Sequence, residues 1–343
     1  MAARTRYFVI VSLLVLGVGL GTGLVAYYVG LPAGAFAGRG GPAELQYVPR
    51  DAAVIAYVDV RAIMSSELRQ KVNNLAPGHE NGQRELQDRT GINLETDIDR
   101  VVACLYPARE ALGTHGSGMV LARGRFDEVK VEALMREHGA QVETYNGKRL
   151  IVAHVPDKGD SGEGQDFAVA FIEPGFVGLG GTKLVQAAID LHQGGDNPQT
   201  GLASVTGNDE LMNLVRSLDN GNAWAVGRFD ALTASGRLPA NIMSQIPAIT
   251  WFSVSGQIDT GLRGVVRAEA RDEEAATNLR DVIRGFMALG KMQAASKPQF
   301  QSVIQSLELG GTGTTVALSF NIPGEVFDAI GQAAGKLPQR LLH

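Results

Sequence analysis

The chain has 343 residues, 45% of them apolar and 20% charged, enough material for two domains with sizeable cores and a composition that excludes general disorder. Its formal charge of -5 becomes -7 once the two positive charges of Arg4 and Arg6 are set aside, and its basic residues are scattered. No nucleic acid partner is expected, because displacing counterions from phosphates needs clustered Lys and Arg.

The N-terminal stretch YFVIVSLLVLGVGLGTGLVAYYVGL runs from Tyr7 to Leu31 without a charge. At about 1.5 Å per residue it is long enough to cross a hydrocarbon core of about 30 Å. Ala35-Phe36-Ala37 before Gly38 offers a small-x-small cleavage site, but signal-peptide apolar cores run only about 7 to 15 residues, so a retained signal anchor is expected over residues 1–31. Arg4 and Arg6 ahead of the span place the N-terminus in the cytoplasm and everything after it outside. Gly17, Gly19, Gly21 and Gly23 form overlapping GxxxG spacings, a ridge on which a second membrane helix could pack closely. The partners read from this region are therefore the membrane and either an envelope protein or a second copy of the chain.

Residues 32–46, PAGAFAGRGGPAELQ, read as a flexible tether, rich in Gly and Pro and without hydrophobic period. A first α+β half follows over 47–192, a connection over 193–208, a second half over 209–333 and a tail over 334–343. Each half shows strands that leave through an acidic residue into a helix with apolar residues every three or four positions. In the first half AVIAYVDVRAI leads into a helix carrying Ile63, Leu68, Val72 and Leu75, and GMVLARGRFDEV into one carrying Val131, Leu134 and Met135. In the second, AWAVGRFDAL leads toward a short helix around Ile242, and RGVVRAEARDEEAATNL into the strongest helix, with Ala276, Leu279, Val282, Ile283, Phe286 and Met287 on one face. Asp127 and Asp272 stand where an N-cap carboxylate would accept from the first-turn N–H groups.

VVACLY contains Cys104, the only cysteine, which excludes an intramolecular disulfide and reads as a buried small hydrophobe. Hairpin turns are read at Asn146-Gly147, at Pro174-Gly175 and in LELGGTGTTVALSF. They imply mainly antiparallel sheets with helices packed on one face, an α+β fold of two related halves. The tetrapeptide Gly-Arg-Phe-Asp occurs twice, ending in Asp127 and in Asp230, and reads as a strand-to-helix joint; Arg125 and Arg228 within it are candidate anion contacts.

The run GFVGLGGTKL has glycines at 175 and 180 with P-loop spacing, but Gly181 and Thr182 follow where Lys and Ser/Thr belong. It reads as a hairpin strand feeding a helix capped by Thr182, with Lys183 a third candidate anion contact. The histidines show no zinc spacing, DKGDSGEGQD lacks the calcium-loop pattern, and HGSGM around Ser117 is not a nucleophile elbow. No catalytic, cofactor or metal residue is assigned.

VPRDAAVIAYVDVRAI, GNAWAVGRFDAL and FNIPGEVFDAI, spread over residues 48 to 332, resemble a loosely defined group of bacterial exported proteins of unknown function. In that group one membrane helix precedes two related α+β halves. The resemblance implies a single-pass inner-membrane protein with its folded region in the periplasm, and lends no activity. The expected function is a non-enzymatic, membrane-anchored binding or scaffold protein. A carrier of an apolar envelope ligand and an enzyme with a site assembled from both halves remain as alternatives.

Overall fold

The structure is a computed structural model that describes residues 41–75, 87–88, 90–107, 118–155, 165–197, 201–219, 221–234, 248–294 and 301–328. The chain is α+β, with a large antiparallel sheet and helices. The described residues of Phe36–Arg61 and Asn81–Ser217 form one compact unit, and those of Ala62–Glu80 and Leu218–His343 a second.

In the first unit, strand β1 (Val54–Val58) is apolar without alternation and is buried along its whole length. It pairs with β2 (Ile98–Leu105), and β2 with β3 (Gly118–Gly124), so that Tyr57, Val102 and Leu121 lie side by side. The hairpin of β4 (Gln141–Tyr145) and β5 (Lys148–Val155) turns at Asn146 and Gly147, whose φ values of 46° and 74° suit a type I′ turn. A second hairpin joins β6 (Gln165–Glu173) to β7 (Phe176–Gly181) through Gly175 at φ 73°. The order is β1-β2-β3-β7-β6-β5-β4, with neighbouring strands antiparallel throughout.

Glycine at 180 is required because β7 runs very close to β3: a Cβ there would stand 2.4 Å from the Gly118 carbonyl oxygen. The glycine-rich run is thus a packing device between strands. Helix α5 (Thr182–Gly194) follows directly, with Leu184, Val185, Ala188, Ile189 and Leu191 buried on one face. The expected Thr182 cap is corrected: Gly181 is the N-cap residue, without a side-chain cap bond, and the Thr182 hydroxyl is buried without a partner. Thr182 already lies inside the helix.

The first expected helix is also corrected, since it is two: α1 (Val60–Met64) and α2 (Glu67–Leu75). Between them the Ser66 hydroxyl donates to the Ile63 carbonyl (2.7 Å) and accepts from the Arg69 N–H (3.1 Å). It thereby closes one helix and opens the next. α2 belongs to the second compact unit, where Leu68 N–H donates to the Asp259 carbonyl (2.9 Å) and Lys71 pairs with Asp328 (2.7 Å). Conversely, α6 (Asp209–Arg216) belongs to the first unit, its N-cap Asn208 donating through Nδ2 to the Arg50 carbonyl (3.1 Å). Chain order and compact units therefore differ at these two helices.

The second unit holds β8 (Ala223–Arg228), β9 (Ile249–Ile258), β10 (Leu262–Ala270), β11 (Glu308–Gly310) and β12 (Thr315–Ile322), in the order β8-β9-β10-β12-β11. That order matches β1-β2-β3-β7-β6 strand for strand. Helix α4 (Glu128–Glu137) follows β3 as α8 (Glu273–Ala294) follows β10, and the first unit adds the β4–β5 hairpin. Ala275, Ala276 and Leu279 of α8 pack on Ala270 and Val316, with Ala268, Ile283 and Leu309 around them.

The two Gly-Arg-Phe-Asp joints differ in detail. Asp127 caps α4 by accepting from Lys130 N–H (3.0 Å). Asp230 lies in the first turn of α7 (Phe229–Ala234), paired with Arg228. Asp272 accepts from Ala275 N–H (2.8 Å), and that bond, helped by Arg271, holds its carboxyl below the ordinary range. Among the described residues no helix is long and apolar enough to cross a membrane; Tyr7–Leu31, with Gly17, Gly19, Gly21 and Gly23, lies outside them, as does the helix expected around Ile242.

Asp127→Ala is expected to lower stability by about 1 kcal/mol, the usual cost of a lost N-cap. Asp272→Ala should shift the urea midpoint the same way, with slope unchanged. The depressed Asp272 carboxyl favours the folded state above its ordinary pKa, so this contribution is lost as pH falls through the acid range, and acid titrations of wild type and Asp272→Ala should converge at low pH.

Candidate functional site

The first described residues are the candidate site with the most specific chemistry. Pro42 sets the chain into a turn of 3-10 helix, Ala43–Tyr47, in which Leu45 N–H donates to the Pro42 carbonyl (3.1 Å). Leu45 and Val48 are fully buried. The expected tether of residues 32–46 is therefore folded at its end, and its residues 32–40 lie outside the described set. Two apolar side chains in a Gly- and Pro-rich context were enough to draw the segment into the core.

Glu44, in the same turn, is only 2% exposed. A buried carboxylate needs a partner, and Arg123 on β3 supplies it: Nε donates to Glu44 Oε1 and Nη2 to Glu173 Oε1, each at 2.9 Å. The guanidinium lies over the Phe176 ring, 4.5 Å from its centroid. Tyr47 packs on Phe176 and on His192, with centroid separations of 5.2 and 5.5 Å. Burial works against the Arg123 charge, but the hydrogen bonds from Glu173 and Glu44 outweigh it and raise its pKa. One arginine thus joins the Ala43–Tyr47 turn to β3 and to the end of β6. A planar fork with a stacking face can do this; a lysine cannot.

The sequence-predicted anion contacts are not brought together. Arg125 is exposed, donating to the Thr96 carbonyl (2.5 Å) and to Asp97 (3.1 Å) at the end of α3 (Leu94–Asp97). The Asn93 N–H, and then Arg125, hold the Asp97 carboxyl below the ordinary range. Arg228 pairs with Asp230, and Lys183 is exposed in the first turn of α5. Sequence reasoning chose Arg125 for its place in a repeated tetrapeptide and passed over Arg123 two residues before. The only signal for Arg123 was a charge inside a buried strand; nothing local pointed to Glu44.

Cys104 is 2% exposed, its thiol directed at the Met119 carbonyl oxygen (3.5 Å). Burial pushes its pKa from 9.0 up to about 12, so it is no nucleophile at neutral pH. Among the described residues no cluster of His, Cys, Asp and Glu could hold a metal ion. His154 contacts Asp166 (2.8 Å) and His138 the Leu134 carbonyl (2.7 Å), each as an isolated pair. His79, His115, His343 and Ser117 lie outside the described residues.

A second polar cluster lies in the second unit. The register sets Trp224 beside Ser255 and Ser253 beside Arg267, with Asn222 on the same face of β8 and β9. Asn222 Oδ1, Ser255 Oγ and Arg267 Nη1 are buried without a hydrogen-bond partner, while Arg267 Nη2 donates to Asp219 (2.7 Å). One acceptor, one hydroxyl and one donor in proximity suit ordered water. Comparison of the chain with protein-family models, curated proteins and solved structures finds no match.

Arg123→Met, which leaves Glu44 buried and unpaired, is expected to cost roughly 2–3 kcal/mol, below the range for fully buried pairs because Arg123 is about a third exposed. Urea unfolding of Arg123→Met and of Arg123→Met with Glu44→Gln checks this, the second change recovering part of the loss. Cys104 should resist iodoacetamide in the native chain at pH 8 and react once unfolded. Its thiol proton is held to about 12 when folded and released near 9 when unfolded, so stability from this group is full below 9 and declines as pH rises toward 12.

Proposed function

We propose that the chain is a membrane-anchored, extracytoplasmic binding or scaffold protein built from two related α+β halves. The observation that carries the reading is the Arg123 clasp. It fixes Glu44, thirteen residues after Leu31, rigidly to the sheet of the first unit. A protein that only needed to stay near a membrane could use a loose tether; a body seated this tightly behind its span is suited to presenting a surface at a defined distance. The shared strand order β1-β2-β3-β7-β6 and β8-β9-β10-β12-β11 supports descent of the halves from one plan.

A carrier of an apolar ligand is the second reading, favoured by one observation. On the face that α8 covers at one end, Phe252, Val254, Val266, Leu318 and Phe320 are only half-buried.

Carbonate extraction of cells, with mass analysis of the N-terminus, should leave the chain in the membrane with Tyr7–Leu31 intact. A soluble chain beginning at Gly38 would refute the anchor. Cross-linking and purification of the full-length chain from membranes should then recover a defined partner protein. Recovery of a stoichiometric apolar compound by solvent extraction, with no partner, would favour the carrier.

A further inference from the structure

Asn-Gly pairs occur three times in the chain, at Asn81, Asn146 and Asn220, and only Asn146-Gly147 lies wholly among the described residues. It forms the exposed tip of the β4–β5 hairpin, where a Cβ added at Gly147 would meet nothing within 4 Å. An asparagine followed by glycine is chemically labile, because no side chain shields the next backbone nitrogen from the asparagine Cγ. The Gly147 nitrogen, giving its proton to solvent, forms a bond to Asn146 Cγ; the Cγ–Nδ2 bond breaks and Nδ2 leaves as ammonia. Water then opens the cyclic imide at either carbonyl, leaving aspartate or isoaspartate, with no change of oxidation state.

In this fold the reactive residue is held by α5. Asn146 Nδ2 donates to Asp190 Oδ1, and Gln193 Nε2 donates to the Asn146 carbonyl, each at 2.6 Å. Tyr145 OH donates to Asp190 Oδ2 (2.9 Å) and fixes that carboxylate from the other side. Bonds at both the side chain and the main-chain carbonyl of Asn146 oppose the rotation that carries Cγ onto the Gly147 nitrogen. The product cannot make the same clasp. A carboxylate at 146 sets an acceptor and a like charge against Asp190 where an N–H donor stood. Isoaspartate adds a methylene to the main chain of a two-residue turn whose geometry sets Tyr145 opposite Lys148. Among the described strands β4 ends the order and pairs only with β5, and the pairing of β5 with β6 starts at Leu150. The tip can therefore lift from α5 while that ladder stays closed.

We propose that Asn146-Gly147 is a modification site guarded by α5. While the hairpin is clasped the site is stable; once it opens, deamidation of Asn146 keeps it from returning to Asp190 and Gln193. The clasp is thus a one-way latch, with water as the co-reactant and ammonia as the product released.

The test incubates the full-length chain, purified in detergent, at mildly alkaline pH in the native state and in urea. Peptide mapping with isoaspartyl methyltransferase labelling follows residue 146 and separates it from Asn81-Gly82 and Asn220-Gly221. Conversion at 146 should be several-fold slower in the native chain, with Gln193→Ala, which removes one of the two bonds, lying between. Amide hydrogen exchange then reads the latch. Asn146→Asp should speed exchange at the hairpin tip several-fold, and Asn146→Asp with Asp190→Asn, which restores a donor and an acceptor in the opposite sense, should return it toward wild type. Equal conversion in the native and unfolded chains, or a Gln193→Ala rate no faster than wild type, overturns the guard. Hairpin exchange in Asn146→Asp that matches wild type, or that Asp190→Asn does not recover, overturns the latch.

Discussion

The pairing of Glu44 with Arg123 is the interaction on which the arrangement of the first unit turns. Leu45 and Val48 can be buried only if the backbone between Pro42 and Pro49 comes down onto the sheet, and that path carries Glu44 out of water. An unpaired carboxylate there would cost more than the two apolar side chains return. Arg123 removes the penalty, and by reaching Glu173 as well it ties the end of β6 to β3 across the intervening β7. Phe176 completes the arrangement by giving the guanidinium a face to lie on, and Tyr47 covers the other contacts of that ring. The Ala43–Tyr47 turn thereby becomes part of the core of the first unit.

The sheets depend on a different constraint, the close approach of neighbouring strands. Gly180 is where β7 meets the Gly118 carbonyl, and Gly264 on β10 meets the Ser255 carbonyl in the same manner, a Cβ there standing 2.7 Å away. These glycines resemble ligand-binding ones in sequence because both uses need backbone without a side chain. Geometry separates them: the N–H and C=O groups of β7 are spent on pairing with β3 and β6.

The repeated strand order gives both units the same mechanical logic. A helix leaves the third strand through a capping aspartate, Asp127 or Asp272, and the free side of that strand is later taken by the second strand of a hairpin, β7 or β12. The units diverge in what the helix then does. α4 is a short helix of 10 residues, whereas α8 continues to 22 and carries its apolar stripe past the contacts that seat it.

The sequence by itself determined whatever short-range chemistry controls. Asn146-Gly147 adopts positive φ, so the β4–β5 turn was legible; Asp127 and Asp272 lie next to the N–H groups they cap; Cys104 sits in a run too apolar for a thiolate. The α+β class followed from hairpin spacings and helix periods. Tertiary structure decided what depends on partners far along the chain. Glu44 and Arg123 are 79 residues apart, and no pattern around either announces the other. The break at Ser66 was hidden because apolar periodicity continues across it, while the serine's bonds to Ile63 and Arg69 end one helix and begin another. The exposure of Phe286, Leu289 and Met292 was equally hidden: an apolar period states that a face can be buried, and only the end of the sheet beneath α8 decides how much of it is.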